Sequence, residues 1–168
     1  MGQYGFVTTA DALEVGVPAV ELPKLAEHGA FSHVAYGLYR FDDMPTSPRD
    51  MFAEAVLRVG RGAHLTRDAV LAFHGLALVN PSRVRVGSPR RVRVHLPAWV
   101  DVVTENMAAD DLTVYDGVPS ATVARALVDC RGEVMTERLI DAVAEARGQG
   151  LLAAAEADHV LADLRGAQ

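Results

Sequence analysis

The pattern of apolar and polar positions at the start of the chain predicts two helices in succession. Residues 9–14 have helical spacing, and Thr8 or Thr9 suits the N-cap. A second helix is predicted over residues 18–28, because proline suits the first position of a helix and a glycine follows the last. A glycine between the two segments supplies a turn, so the pattern indicates helix, turn, helix.

Two short segments after the second helix predict a β hairpin. Residues 31–34 and 38–41 combine aromatic and aliphatic residues in the short runs that are typical of strands. Gly37 stands between them, where a tight turn needs a residue that tolerates positive φ. We interpret the hairpin as a wing that follows the helix pair.

Residues 42–48 are the predicted linker between two domains. They contain two prolines and no apolar periodicity, and the periodicity restarts after them. We expect one domain over residues 1–44 and a second over residues 49–168. The second domain is expected to fold alone, and limited proteolysis is expected to cut within the linker.

The remaining segments predict helices around a small sheet. Apolar residues recur at helical spacing over residues 50–59 and 65–76. Short valine-rich segments predict strands over residues 84–86, 92–96, 100–104 and 112–115. Three final helices are predicted over residues 122–130, 136–147 and 151–164. The predicted fold class is α+β, with an N-terminal winged helix-turn-helix followed by a C-terminal domain of helices around a small β-sheet.

The composition favours a packed protein in a reducing compartment. Half of the 168 residues are hydrophobic, 23% are charged, and the mean hydropathy is +0.13. The one cysteine, Cys130, excludes an internal disulfide and a cysteine-based zinc site. The first ten residues lack the pattern of a signal peptide, and no apolar run approaches the ~20 residues that span a bilayer. We therefore expect a cytoplasmic protein with no membrane partner.

Most enzymatic and metal chemistry lacks its usual residues in this sequence. Lys24 is the one lysine, and it stands outside any glycine-rich phosphate-binding loop and outside the second domain, where a lysine-dependent nuclease centre would need it. The six histidines never pair at i, i+4 spacing. We assign His74 to a helix end, Ser120 to a helix cap and Cys130 to the core. We expect no enzyme activity, no metal and no cofactor.

Charge is distributed in blocks along the chain. Residues 1–45 carry a net charge of −4, residues 46–100 carry +6 and residues 101–168 carry −8. The basic block contains a strip of five arginines with no acid among them: Arg83, Arg85, Arg90, Arg91 and Arg93. Strand alternation predicts that Arg83 and Arg85 project from the face opposite to the intervening valines, and likewise Arg91 and Arg93. The strip is either a solvated outer face or a contact for an acidic partner surface or nucleic acid.

The acidic block contains a second candidate surface. Its carboxylates recur every four residues, at Glu133, Glu137, Asp141 and Glu145, which places them on one stripe of a helix. The stripe is either a solvated helix face or a partner contact that covers a basic cleft.

Six segments of the chain resemble AbiEi-type antitoxins, a family of bacterial toxin–antitoxin systems. In the N-terminal domain they are residues 5–17 (GFVTTADALEVGV), 25–31 (LAEHGAF) and 36–41 (YGLYRF). In the second domain they are residues 55–60 (AVLRVG), 65–76 (LTRDAVLAFHGL) and 116–129 (DGVPSATVARALVD), in the family's order. The resemblance extends over nearly the whole chain.

The resemblance implies a two-domain antitoxin. Its N-terminal domain would bind its own promoter DNA, and its C-terminal domain would counter a partner toxin of the nucleotidyltransferase class. The helix over residues 17–28 would enter the major groove, with the hairpin on the adjacent backbone. The implied DNA-binding candidates are Val17, Pro18, Glu21, Lys24, Tyr36 and Arg40, with Lys24 and Arg40 at the basic positions. The arginine strip and the acidic stripe are the candidates for partner binding.

Two features of the N-terminal domain depart from the family's pattern. The family usually has a helix ahead of the Phe6 segment, where this chain has five residues, so its start is either truncated or short. The family also carries basic or hydroxyl residues where residues 18–21 are Pro-Ala-Val-Glu. A net charge of −4 opposes phosphate, so this domain is either a weak, salt-sensitive DNA binder that depends on Lys24 and Arg40 or a protein-binding or dimerisation module. The alternative function is a winged-helix transcription regulator without a toxin partner.

Overall fold

The N-terminal segment folds as a helix pair on a three-stranded sheet. The structure, a computed structural model, describes residues 4–166, so residues 1–3 and 167–168 of the two predicted domain ranges lie outside the described residues. The elements in chain order are β1 (Phe6–Thr8), α1 (Thr9–Glu14), α2 (Glu21–Glu27), β2 (Phe31–Ala35) and β3 (Leu38–Phe41). The strands pair antiparallel in the order β1-β3-β2. β3, which comes last of the three in the chain, therefore lies in the centre of this sheet.

The first helix begins with a capping box. The Thr8 hydroxyl accepts a hydrogen bond from the Asp11 N–H (3.1 Å), and the Asp11 carboxylate accepts one from the Thr8 N–H (2.7 Å). Each side chain thereby satisfies a backbone donor that has no partner within the helix. Of the two threonines that suit the cap, Thr8 is the one used, and the predicted helix over residues 9–14 is confirmed.

The second helix is shorter than predicted. It begins at Glu21, so Val17 and Pro18 lie in the turn between the helices. The Glu21 N–H donates to the Pro18 carbonyl (2.9 Å), which closes a turn ahead of the helix. Val20 is 63% exposed, so no apolar contact there favours an earlier start. The expectation that residues 18–20 belong to the helix was wrong.

The predicted hairpin is confirmed, with β2 extending one residue further to Ala35. A strand that the sequence did not predict, β1, completes the sheet by pairing Phe6 with Arg40. Three residues are too few to show an alternating pattern, and this strand depends on a partner far along the chain.

The second segment places helices around a five-stranded sheet. Its elements are α3 (Asp50–Val59), β4 (His64–Leu65), α4 (Asp68–His74), β5 (Val84–Ser88), β6 (Val100–Thr104), β7 (Leu112–Tyr115), β8 (Val118–Ala121), α5 (Val123–Asp129), α6 (Thr136–Gly148) and α7 (Ala154–Arg165). The sheet order is β6-β5-β4-β8-β7. The β5–β6 and β4–β8 pairs are parallel, and the other two pairs are antiparallel. The fold class is α+β.

The predicted strand over residues 92–96 does not form. Residues 91–97 have no helix or strand, although valine and arginine alternate there. Because β5 and β6 pair in parallel, the chain must cross from the end of one strand to the start of the other. Residues 89–99 make that crossover and cannot pair as a strand. The expectation that Arg91 and Arg93 project from a strand face was therefore wrong.

Three further boundaries differ from the sequence prediction. Residues 64–65 form β4 and precede the helix, which begins at Asp68. Ser120 lies in β8, and Thr122 caps α5 by accepting a hydrogen bond from the Arg125 N–H (3.2 Å). The last helix begins at Ala154, not at residue 151. The assignment of Ser120 as a cap was wrong because a strand extends through it.

Packing crosses the predicted boundary between the two segments. Residues 42–49 form turns and irregular chain, as expected for a linker. Phe6 and Leu38 of the first sheet nevertheless belong to the same buried core as Phe52 of α3. The Arg40 guanidinium also donates to the Asp50 carboxylate across the linker (3.0 Å). Burial of apolar surface thus joins the first sheet to the second segment.

No helix of residues 4–166 is long and apolar enough to span a bilayer.

The shared core predicts that the two segments unfold together. Leu38→Ala removes a side chain that is 2% exposed, which we expect to cost about 2–5 kcal/mol of unfolding free energy. Trp99 is the one tryptophan and lies in the second segment, so its fluorescence reports on that segment alone. We expect the urea midpoint measured at Trp99 to fall by as much as the midpoint measured by circular dichroism.

Leu13→Ala is the matched control, because Leu13 is 60% exposed and its loss should change stability by less than about 0.5 kcal/mol. A Trp99 transition that is unchanged by Leu38→Ala would mean that the second segment folds independently of the first sheet.

Candidate functional site

Arg85 extends from β5 into a group of three carboxylates. Its guanidinium lies 2.5 Å from Glu133, 3.6 Å from Asp68 and 3.7 Å from Asp101. Arg67 contributes a second cation to the same group, 2.6 Å from Glu133. Two arginines and three acids therefore form one network between β5, β6, the start of α4 and the turn before α6.

The network affects its two best-connected carboxylates in opposite directions. Hydrogen bonds from Arg85 and then Arg67 hold the pKa of Glu133 below its usual range. Burial raises the pKa of Asp68, and Arg85 only partly offsets that effect. Arg85 is the cation that contacts both the partly buried Asp68 and the exposed Glu133, and it lowers the pKa of each carboxyl.

Two residues predicted to lie on separate partner surfaces thus bind each other. Arg85 was assigned to the arginine strip and Glu133 to the acidic stripe, yet the structure pairs them. Glu133 also precedes α6, which begins at Thr136, so it is not part of a helical stripe. The helical part of the stripe is Glu137, Asp141 and Glu145, and all three are exposed.

The rest of the arginine strip has no carboxylate partner in residues 4–166. Its members are Arg83, Arg90, Arg91 and Arg93, and all four are exposed. Arg83 immediately precedes β5, and the other three lie in the crossover between β5 and β6. The structure therefore divides the predicted strip into one paired arginine, Arg85, and four unpaired ones.

The basic residues of the helix pair and hairpin are both paired. Lys24 binds Glu21 one helical turn away (2.9 Å), and both side chains are exposed. Arg40 donates to Asp50 and to the Pro45 carbonyl (3.1 Å), and it is largely buried. An exposed pair such as Lys24–Glu21 is weak and can be displaced, whereas Arg40 is part of the junction between segments. Tyr36 is fully exposed at the hairpin tip.

A groove of about 410 Å³ lies beside the Arg85 network and was not predicted. It is lined by network residues and by Leu78, Asn80, Met135 and Arg138. Backbone strain borders it, since Arg67 (φ 51°), Ala77 (φ 58°) and Leu78 (φ 49°) adopt left-handed φ without being glycine. No sequence pattern marks such strain, because it is imposed by packing.

His64 forms a second buried polar site that the sequence did not indicate. Its Nε2 lies 3.2 Å from the Glu105 carboxylate and its Nδ1 lies 3.3 Å from the Gly62 carbonyl. A Cβ at Gly87 would lie 2.3 Å from His64 Nε2, so only glycine permits this approach. The His64–Glu105 pair lies near the end of β5, where the crossover to β6 begins.

The remaining reactive side chains are buried in ways that suit structural roles. Burial lowers the pKa of His74 to about 4, so the imidazole is neutral at physiological pH. Burial raises the pKa of the Cys130 thiol to about 12, so the nucleophilic thiolate is absent. The Ser120 hydroxyl donates to the Ala121 carbonyl (2.8 Å). The assignment of Cys130 to the core is confirmed. Residues 4–166 contain no group of three or more potential metal ligands.

Comparison with known proteins supports the fold alone. No family model and no curated protein matches the sequence. Among solved structures, the chain is similar to one described as the crystal structure of the RV2827C protein from Mycobacterium tuberculosis. The two share 18% sequence identity with a TM-score of 0.51, over 95% of this chain and 72% of that chain. At this identity the likeness indicates a shared mixed α/β architecture.

The division of the arginine strip predicts different results for Arg85, which lies on β5, and Arg83, which immediately precedes that strand. Arg85→Gln leaves Asp68, Asp101 and Glu133 short of a positive charge, which we expect to cost about 1–3 kcal/mol of unfolding free energy. Arg83→Gln is the matched control and should change stability by less than about 0.5 kcal/mol. Urea unfolding followed by circular dichroism measures both. Equal effects of the two substitutions would show that Arg85 is as free of internal contacts as Arg83.

Proposed function

We propose that this protein is the cytoplasmic antitoxin of a toxin–antitoxin pair. In this proposal it neutralises a toxin of the nucleotidyltransferase class and represses its own operon. The proposal combines the resemblance of six segments to AbiEi-type antitoxins with the surfaces that the chain leaves available.

The arrangement of the first segment supports a winged helix-turn-helix. Helices α1 and α2 are joined by a turn over residues 15–20, and a hairpin follows them directly. The turn contains a glycine in a left-handed conformation, Gly16 (φ 78°). A helix pair of this kind presents its second helix to DNA in helix-turn-helix proteins, and the hairpin tip with Tyr36 stands free beside it.

The observation that carries the antitoxin half of the proposal is the acidic face of α6. Glu137, Asp141 and Glu145 are exposed, and none forms an ion pair within the described residues. A toxin that handles nucleotides needs a positive active site to attract phosphate. An acidic helical face of about two and a half turns has the charge to cover such a site.

Co-expression with the product of the neighbouring gene, which the proposal expects to be a toxin of the nucleotidyltransferase class, tests the proposal. The wild-type chain should restore growth when the toxin is induced. Asp141→Lys with Glu145→Lys should abolish rescue and weaken binding of the purified toxin about 10- to 100-fold, because two attractive contacts become repulsive. Titration calorimetry and colony counts measure the two effects.

Glu156→Lys with Asp158→Lys is the matched control, since both acids are exposed on α7 and the change in charge is the same. The control should rescue growth like the wild type. Failure of the wild-type chain to rescue would refute the antitoxin proposal. Full rescue by the α6 variant would leave the antitoxin proposal standing and remove α6 as the contact.

A further inference from the structure

Seven of the sixteen lysine and arginine side chains form ion pairs with carboxylates in residues 4–166, and five of the other nine lie in one part of the chain. Ion pairs engage Lys24, Arg40, Arg49, Arg58, Arg67, Arg85 and Arg125. Among residues 4–166, five arginines without a carboxylate partner lie between α3 and β6: Arg61, Arg83, Arg90, Arg91 and Arg93. No acidic residue occurs between Asp68 and Asp101, so no nearby charge in the sequence neutralises the last four.

The arginine loop, defined as residues 89–98, is held at its base by the fold. The Ser88 hydroxyl, at a residue only 4% exposed, donates to the Arg90 carbonyl (2.9 Å) and accepts from the Arg90 N–H (3.4 Å). The Glu105 N–H donates to the Ser88 carbonyl (2.9 Å), which ties the base to the chain after β6. Leu96 packs against the core. The loop therefore presents its arginines from a fixed base.

A second turn adds a further arginine next to this loop. A Cβ on Gly62 would lie 3.2 Å from the Pro89 side chain, so the turn that follows Arg61 packs against the start of the loop. Arg61 is exposed. The basic surface therefore includes Arg61 together with Arg90, Arg91 and Arg93.

The far end of the arginine loop adjoins the hairpin of the first segment. The Arg58 guanidinium lies 6.0 Å from the ring centre of Trp99, the residue that follows the loop. The same guanidinium donates to the Val34 carbonyl of β2 (3.0 Å). One side chain thus links the end of the loop to the hairpin, and a ligand that contacts the hairpin is within reach of the loop.

We propose that the arginine loop, with Arg61, is the surface that binds the phosphates of duplex DNA, in place of the basic residues of the helix pair. This inference rests on the DNA-binding half of the proposed function. Lys24 and Arg40 are paired with carboxylates, whereas the loop arginines present free guanidinium groups whose planar forks match phosphate.

The apolar content of the arginine loop favours nucleic acid over an acidic protein surface. Protein interfaces draw most of their energy from buried aromatic and aliphatic anchors. The only large apolar side chain that the loop exposes is Val94, at 57%. Phosphate contacts need no such anchor, because counterion release supplies the free energy.

Fluorescence anisotropy with a labelled 20-base-pair duplex tests this inference on the full chain. One duplex carries the chain's own upstream sequence and a second is a scrambled control of equal length. We expect R90Q/R91Q/R93Q to weaken binding of both about 10- to 100-fold near 100 mM salt. The slope of log affinity against log salt should become shallower by about 3, because each phosphate contact contributes roughly 0.9.

R138Q/R147Q/R165Q is the matched control, because it removes the same charge from exposed helical arginines that have no carboxylate partner in the described part of the chain. It should change affinity less than about threefold. Circular dichroism and Trp99 fluorescence of each variant establish that it is folded.

Three outcomes would overturn the inference. Equal losses in the two triple variants would mean that net charge alone matters. Loss of binding in K24E, with normal binding in R90Q/R91Q/R93Q, would show that α2 makes the phosphate contact. The proposed function would then stand without the inference. A wild-type chain that binds neither duplex at 50 mM salt would refute both the inference and autorepression, while toxin rescue would still decide the antitoxin half.

Discussion

Each arginine that approaches the interior of this protein must be matched by a carboxylate, and that requirement determines which charges remain for a partner. A partly buried cation without a counter-charge would cost several kcal/mol in desolvation. Arg40 at the junction of the segments pairs with Asp50, and Arg85 on β5 pairs with Asp68 and Glu133. These pairs remove two predicted contact residues from the free surface. The cations that have no carboxylate partner lie in exposed positions, where a partner can reach them.

The parallel pairing of β5 and β6 explains where three of those cations lie. A parallel pair needs a crossover, and this chain makes it with residues 89–99, which contain no helix. Residues 89–99 are all exposed or half-buried, and the three arginines among them are exposed. A stretch with three arginines and no acid is tolerated there because none of its charges is buried. The crossover between β5 and β6 thus accounts both for the parallel pairing of these strands and for the exposed position of three arginines.

The sequence predicted best the elements that depend on local signals. Helix α3 has the predicted bounds, and the Thr8 cap of α1 follows from a local hydrogen-bonding motif. The sequence did not indicate β1 and β4, which are three and two residues long and pair only with strands that are distant in the chain. It also missed β8, which pairs with the preceding strand β7 and extends through Ser120, the residue assigned to a helix cap. Residues 92–96 have the alternation of a strand but no strand to pair with. The ion pair between Arg85 and Glu133 could not be predicted either, because 47 residues separate them in the sequence. Each also fits a local pattern, strand alternation for Arg85 and a four-residue helical spacing for Glu133.

The central claim is that the paired arginines Arg40 and Arg85 are structural and that the unpaired arginines of the arginine loop, with Arg61, contact DNA. Side-chain Nε–H signals of arginine in ¹H–¹⁵N spectra, followed during titration with the 20-base-pair duplex, test it residue by residue. The account predicts that the signals of Arg61, Arg90, Arg91 and Arg93 shift as DNA is added, whereas those of Arg40 and Arg85 stay in place. Shifts at Arg40 or Arg85, with the loop signals unchanged, would contradict it.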